Sequence, residues 1–331
     1  MFTIFRKDNT QSPTVELKSI VSQEVLQNYQ RLFNKTQKWI NCESDFNQVD
    51  DFLLNNWLER LYFERLERKS DEIETLLKQS TNNWEAVLFK LLAKNFGLKV
   101  NGEAFYSLSK SFKFSLLRKN QSKLLSLEAL FFGQFGLLES DVQEPYVLEL
   151  KNEYQFLSQK FMLSQQGVIP LQFFRLRPPN FPTIRLSQLA NLYHKHQNLF
   201  SKIITSRSLE ELYSLFTVAT SIFWETHYTF GKESKKSTKK TTKVFIDLLL
   251  INTIIPLKFS YAKHQGKMVN EEIILLMQRL ASEKNSIINK FETLKKVSTS
   301  ALHSQALLQL KNNYCVKNKC LQCAVGNALI T

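Results

Sequence analysis

Three of the chain's four cysteines fall within nine residues, Cys315-Val-Lys-Asn-Lys-Cys320-Leu-Gln-Cys323, in the spacing C-x4-C-x2-C. Thiolates are soft ligands, and a C-x2-C turn aims two of them at one point, so the pattern suits zinc or an iron–sulfur cluster. The same order occurs at plant-type iron–sulfur sites, although their glycine- and serine-rich loop is absent here. A closed site takes four ligands. Cys42 is the remaining cysteine, and His303 is the nearest histidine, one helix before the trio. One distant cysteine plus a C-terminal trio leans toward the cluster, with zinc left open. Lys317 and Lys319 stand between the thiols and are expected to lower their pKa values by offsetting thiolate charge. Without a metal, the same residues are three free thiols near a frayed end.

A second chemistry lies in the cations. Arg175-Leu-Arg177-Pro178-Pro179-Asn180-Phe181-Pro182-Thr183-Ile184-Arg185 sets three guanidinium groups around a proline-stiffened turn. Such forks bind phosphate bidentately, and interleaved Phe173, Phe174 and Phe181 add stacking, a pairing suited to single-stranded nucleic acid. The plainer reading is a helix-entry loop whose arginines pair with local carboxylates. Segment 231–243 carries six lysines, one glutamate and no apolar residue, which predicts an exposed, mobile loop. Lys235, Lys236, Lys239 and Lys240 are its candidate nucleic-acid contacts.

Other polar candidates are weaker. His194 and His196 sit two apart, which on a helix points them in different directions. His227, within Trp224-Glu225-Thr226-His227-Tyr228, reads as a part-buried histidine with its hydrogen bonds satisfied. Glu16-Leu17-Lys18 with Asp8 fits the bare E-x-K of restriction-type nucleases, a pattern short enough to arise by chance. Glycine-rich phosphate loops, H-E-x-x-H and G-x-S-x-G are absent, so an independent enzyme is the least favoured class.

The elements that must position these residues are helical. Val49, Phe52, Leu53, Trp57, Leu61, Ile73, Leu76 and Leu77 mark one long amphipathic helix opened by Asp50 or Asp51. Its mixed-charge outer face, including Glu64 and Arg68 one turn apart, reads as solvated. Asn82 with Glu85 resembles a capping box for a helix that Gly97 closes, and Ser208 with Glu211 is a cleaner one. An apolar helix over 124–132 is expected to end in the loop Gly133-Gln134-Phe135-Gly136. Further helices are expected near 149–162, 184–198, 244–263, 271–281, 284–296 and 300–312. Residues 2–5 and 14–17 read as two short strands around a turn. The expectation is thus a mainly α protein: a β hairpin over 1–20, then one large multi-helix domain over 21–331.

With 331 residues, only 8 Gly and 7 Pro, and 43% hydrophobic residues, the composition is globular and favours long helices over a turn-rich β architecture. The apolar run 245–255 is short and interrupted by Asp247, so no membrane span is expected. The opening Met-Phe-Thr-Ile-Phe-Arg-Lys lacks the order of a signal peptide, which points to a cytoplasmic protein with reduced thiols. Lys plus Arg exceed Asp plus Glu by 14, favouring a polyanionic partner such as DNA or RNA.

Several ordered blocks resemble a bacterial family, domain of unknown function 2851, common in Bacteroidetes. They are Asn56-Trp57-Leu58-Glu59-Arg60-Leu61, Glu64-Arg65-Leu66-Glu67-Arg68-Lys69-Ser70, Asn95-Phe96-Gly97, Glu128-Ala129-Leu130-Phe131-Phe132-Gly133-Gln134, Arg175-Leu176-Arg177-Pro178, Asn180-Phe181-Pro182-Thr183-Ile184-Arg185 and Leu310-Lys311-Asn312-Asn313-Tyr314-Cys315. The resemblance implies a nuclease-like region upstream, of which this chain keeps only the last hairpin, so no catalytic residue is expected. It also implies that Cys42, Cys315, Cys320 and Cys323 act as one set. The resulting expectation is a non-catalytic, metal-binding helical part of a nucleic-acid-processing protein. The alternative is a metal-stabilised structural or protein-interaction module with no nucleic-acid role.

Overall fold

The computed structural model describes residues 7, 8, 10, 20–34, 38–139 and 141–331. The hairpin expected over 2–5 and 14–17 lies outside the described residues. Those described are mainly α, and their one sheet is a two-stranded antiparallel pair elsewhere, His227–Thr229 with Lys232–Glu233.

The chain divides into two compact units, Met1–Arg65 with Gln278–Thr331, and Leu66–Met277. The first of these units is discontinuous in sequence. The sequence carries no linker at the first division, which falls inside the unbroken helix Asp51–Gln79, free of Gly and Pro. Asp50 caps that helix, its Oδ1 accepting from Leu53 N at 2.9 Å.

In the discontinuous unit, Leu54, Trp57, Leu58 and Leu61 of the long helix are buried, as are Leu302, Ala306, Leu307 and Leu310 of the helix Ala301–Leu310. Phe291, on the helix Ser286–Leu294, receives the rings of Trp39 at 4.8 Å and Phe46 at 5.5 Å. An aromatic cluster of this kind contributes beyond its buried area and fixes the turn 39–48 against the C-terminal helices.

The second unit is built on the helix Leu124–Gln134, whose residues from Ser126 onward are all buried, flanked by the helices Pro145–Phe161 and Pro182–Lys195. Both flanking helices open on a proline, which lacks only an N–H the first turn leaves unpaired. The central helix does not stop before Gly133 as expected. A Cβ on Gly133 would lie 2.1 Å from Cδ2 of Tyr154, so the glycine admits that ring where the helices meet. Gly133→Ala is expected to destabilise this unit by about 1–3 kcal/mol through overpacking. An unchanged urea midpoint would show that Tyr154 yields freely.

The capping boxes resolve differently. Ser208 Oγ accepts from Glu211 N at 3.2 Å and the helix Leu209–Phe216 follows, as expected. At the other, Asn83 is the cap, accepting from Ala86 N at 3.0 Å, while Asn82 sits in the left-handed region at φ 58°. Gly97 separates the helices Trp84–Phe96 and Leu98–Lys110, the second of which is not among the helices expected.

Lys243–His264 forms one helical stretch with a π turn at Leu250–Ile254. It is long and apolar enough to cross a membrane by length and composition, but 78% of its apolar window is buried within the protein. Segment 231–243 is largely exposed, as expected, and is tied to neighbouring backbone. Ser234 N, Ser237 N and Thr241 N donate to Thr226 O, Glu225 O and Val218 O at 2.6, 2.9 and 2.9 Å, and Lys240 bridges Ala219. Backbone hydrogen bonds can hold a segment that buries no apolar side chain, a possibility composition does not report.

Candidate metal centre

Cys42 lies in the turn between the helix Gln23–Phe33 and the 3-10 turn Phe46–Gln48, with Asp45 N bonded to its carbonyl at 3.1 Å. The other three follow the helix Ala301–Leu310, which widens into a π turn over Lys311–Cys315. Left-handed Asn318, φ 51°, reverses the chain, helped by Lys319 N donating to Tyr314 O at 2.9 Å. Cys320 opens a 3-10 turn and Cys323 begins the final helix Ala324–Ile330, with Cys323 N donating to Cys320 O at 3.1 Å.

These turns bring all four cysteines, with Asn41 and Lys319, onto the wall of one cavity of about 20 Å3. All four are free thiols; Cys42 and Cys323 are buried, Cys315 and Cys320 partly so. Among the described residues, no group of three or more His, Cys, Asp or Glu side chains stands ready to hold a metal ion. The thiols share a cavity without being drawn into a coordinating cage. His303 is not with them: its Nδ1 lies 3.0 Å from Thr299 Oγ1.

The surroundings suit sulfur anions. Asn41 Nδ2 donates to Cys320 Sγ at 3.4 Å. Cys323 accepts no capping bond at its sulfur, but the backbone N–H groups of Val325 and Gly326 and the buried Trp57 indole N–H, which has no hydrogen-bond partner, act on it to favour the thiolate. The last helix can approach this closely because residue 326 is glycine: a Cβ there would lie 2.2 Å from Cys320 O. Yet every thiol pKa is raised. Burial is the main cause throughout, pushing Cys315 to about 12 and Cys42 higher still, with repulsion among the thiolates adding to both. The expectation that Lys317 and Lys319 lower these values fails. Lys317 bonds Asn313 instead, and the lysine that opposes the rise at Cys315 is Lys311, whose Nζ also donates to Trp39 O at 2.6 Å.

A family model for proteins of unknown function, DUF2851, matches residues 2–286. The chain belongs to the DUF2851 family. No curated protein and no solved structure matches it. The match covers Cys42 and the basic segments and ends before the cysteine trio.

The basic candidates of this DUF2851 chain separate into two groups. Arg175, Arg177, Lys235, Lys236 and Lys240 are exposed. Arg185 and Lys239 are buried, at 5% and 8% exposure, and are withdrawn as direct nucleic-acid contacts. Arg185 does not pair with a carboxylate; it donates to Gln188 Oε1 at 2.8 Å and Asn180 Oδ1 at 2.7 Å and stacks over Phe245. Burial lowers its pKa to about 10. Lys239 Nζ donates to the carbonyls of Trp224 and Glu225. Each spends its charge on internal acceptors, because aromatic neighbours cover the side-chain stem.

His194 and His196 bond separate carbonyls, Gln121 O and Leu215 O, and do not converge. His227 stacks on Phe223 with centroids 4.1 Å apart and lies 3.3 Å from Glu144 Oε1. Glu128, which stands out in the sequence only as part of a family block, is a buried hub. Ser187 Oγ donates to its Oε1 at 2.5 Å and Tyr146 OH to its Oε2 at 2.8 Å, and burial pushes its pKa up to about 7. Segment 124–132 is apolar on almost every side of it, which leaves no sequence signal of a polar network.

Proposed function

We propose that this chain is a non-catalytic, metal-stabilised helical module of a nucleic-acid-processing protein. Four thiolates, from Cys42, Cys315, Cys320 and Cys323, would hold a single ion. The observation that carries this reading is the convergence of all four cysteines of the chain on one small cavity. Buried thiols with raised pKa values gain nothing from one another, whereas a divalent cation among them would stabilise every thiolate at once. Four cysteines on one cavity complete a tetrahedral ion without any further ligand, so zinc is put forward ahead of the iron–sulfur alternative. The Asn41 amide that donates to Cys320 supports a thiolate as the bound form. The ion would join residues near both ends of one unit and supply folding energy.

Anaerobically purified protein should contain about one zinc per chain and be colourless. Visible absorption with several irons per chain would replace zinc by a cluster. A metal-free protein whose four thiols all react in the folded state would end the metal reading.

The nucleic-acid part rests on the excess of 14 cations over anions and on the exposed set Arg175, Arg177, Lys235, Lys236 and Lys240. Binding to DNA or RNA that weakens steeply with salt supports it; no binding at low salt would leave the structural or protein-interaction role alone.

A further inference from the structure

The two basic segments are separated by some fifty residues of sequence but are tied together inside the second unit. The loop that carries Arg175 is anchored ahead of Phe173. Buried Asn101 bonds both backbone groups of Gln172, Nδ2 to its carbonyl and Oδ1 from its N–H, each at 2.8 Å. Ile169 N donates to Ser107 Oγ at 2.9 Å. Behind the loop, Asn180 accepts from Arg185, Arg185 donates to Gln188, and Gln188 Nε2 donates to Lys239 O at 3.1 Å. A line of rings runs parallel to this chain: Phe173 to Phe181 at 5.5 Å, Phe181 to Tyr228 at 6.4 Å, and Lys239 Nζ 4.2 Å over Tyr228. The two buried cations are thus the struts between the segments that hold the exposed ones.

One aromatic is left outside this packing. Phe174 is 79% exposed, with the Arg175 guanidinium 5.1 Å from its centroid. Arg175 itself is in the left-handed region at φ 61°, a conformation that costs a non-glycine residue energy and is kept here by the anchored turn on either side. A stiff loop that holds an apolar ring in water beside an arginine is a platform for a flat ligand carrying phosphate.

From this we infer that the Arg175–Arg177 loop and the Lys235–Lys240 segment form one preorganised surface for single-stranded nucleic acid. A base stacks on Phe174 and the phosphates run across Arg175, Arg177, Lys235, Lys236 and Lys240. Arg185 is a positioning residue. This rests on the reading of nucleic acid as a partner and adds the strand type and the residues. Duplex bases are stacked internally and cannot use Phe174, whereas a single strand offers both bases and phosphates.

Fluorescence anisotropy of the full chain with an oligothymidylate of about 12 nucleotides, and with a duplex of equal length, tests it. Phe174→Ala is expected to weaken single-strand binding roughly 5- to 100-fold, the range of one stacked base, with duplex binding unchanged. Replacing Arg175 and Arg177 with Ser should lower the salt slope by about 0.7 for each phosphate no longer neutralised, and replacing Lys235, Lys236 and Lys240 with Ser should do the same. Arg185→Lys keeps a charge but cannot reach Asn180 and Gln188 together; it should weaken single-strand binding while leaving the slope intact. Circular dichroism and melting temperature establish that each variant is folded. If the wild type binds neither probe, the partner reading and this inference fall together. If it binds, but Phe174→Ala binds as tightly as the wild type or only one segment changes the slope, the composite surface is wrong and the partner reading stands. Wild-type affinity in Arg185→Lys would remove Arg185 as a positioning residue.

Discussion

With a metal held as proposed, Cys42→Ser is expected to release it and to lower the melting temperature of the protein by more than about 10 °C. The size of the effect follows from where the ligands sit. Cys42 belongs to the turn 39–48, and its three companions follow the helix Ala301–Leu310, so one ion would close a loop spanning most of the chain. Structural zinc supplies about 10–16 kcal/mol of binding free energy in small domains, which far exceeds what one buried thiol adds by packing. A metal-free reading predicts something different. Serine at a buried cysteine would then cost about 1–3 kcal/mol for an unsatisfied hydroxyl, and chelator would leave the wild type unchanged. The decisive comparison is therefore melting of wild type and Cys42→Ser with and without chelator. Chelated wild type should melt like the variant; a wild type indifferent to chelator sinks the prediction.

The second large effect concerns pH. The Glu128 carboxyl is held near 7 in the folded protein, against 4.5 for the free group, because burial penalises its charged form more than Ser187, Tyr146 and Ser221 stabilise it. A group whose folded pKa is raised favours the folded state when protonated. Its contribution is complete below about pH 4.5 and is lost as pH rises through about 7. A shift of this size corresponds to about 3 kcal/mol. Glu128→Gln mimics the protonated form, accepting from Tyr146 and offering an amide to Ser187. Subtracting its urea-derived stability from that of the wild type isolates the Glu128 contribution from the other titrating groups. The wild type is expected to lose about 2.5 kcal/mol relative to Glu128→Gln between pH 5 and pH 8. A flat difference would show that Glu128 titrates in the folded protein as it does in water.

Much of this protein was legible in its residues. Periodic apolar positions between Val49 and Leu77 and a capping Ser208 with Glu211 are local signals, and local hydrogen bonding makes the helices they announce. Cysteine spacing likewise singled out Cys315, Cys320 and Cys323, because a short turn fixes which side chains can converge. What stayed hidden depends on partners far away in sequence. Gly133 read as a loop residue because nothing nearby reveals that Tyr154 needs its space. Lysines in 231–243 read as solvated because composition cannot show that Trp224 and Glu225 carbonyls await Lys239. Arg185 looked like a phosphate fork, yet its length lets it serve Asn180 and Gln188 from a buried position. The division into two units leaves no mark, since it falls within a continuous helix. Sequence alone announced many of the helical segments, though not Leu98–Lys110, and showed which thiols are clustered. The tertiary structure decided that Cys42 lines the same cavity as the trio, that Glu128 is buried among hydroxyls, and which cations face water, because each of these depends on residues that only folding brings near.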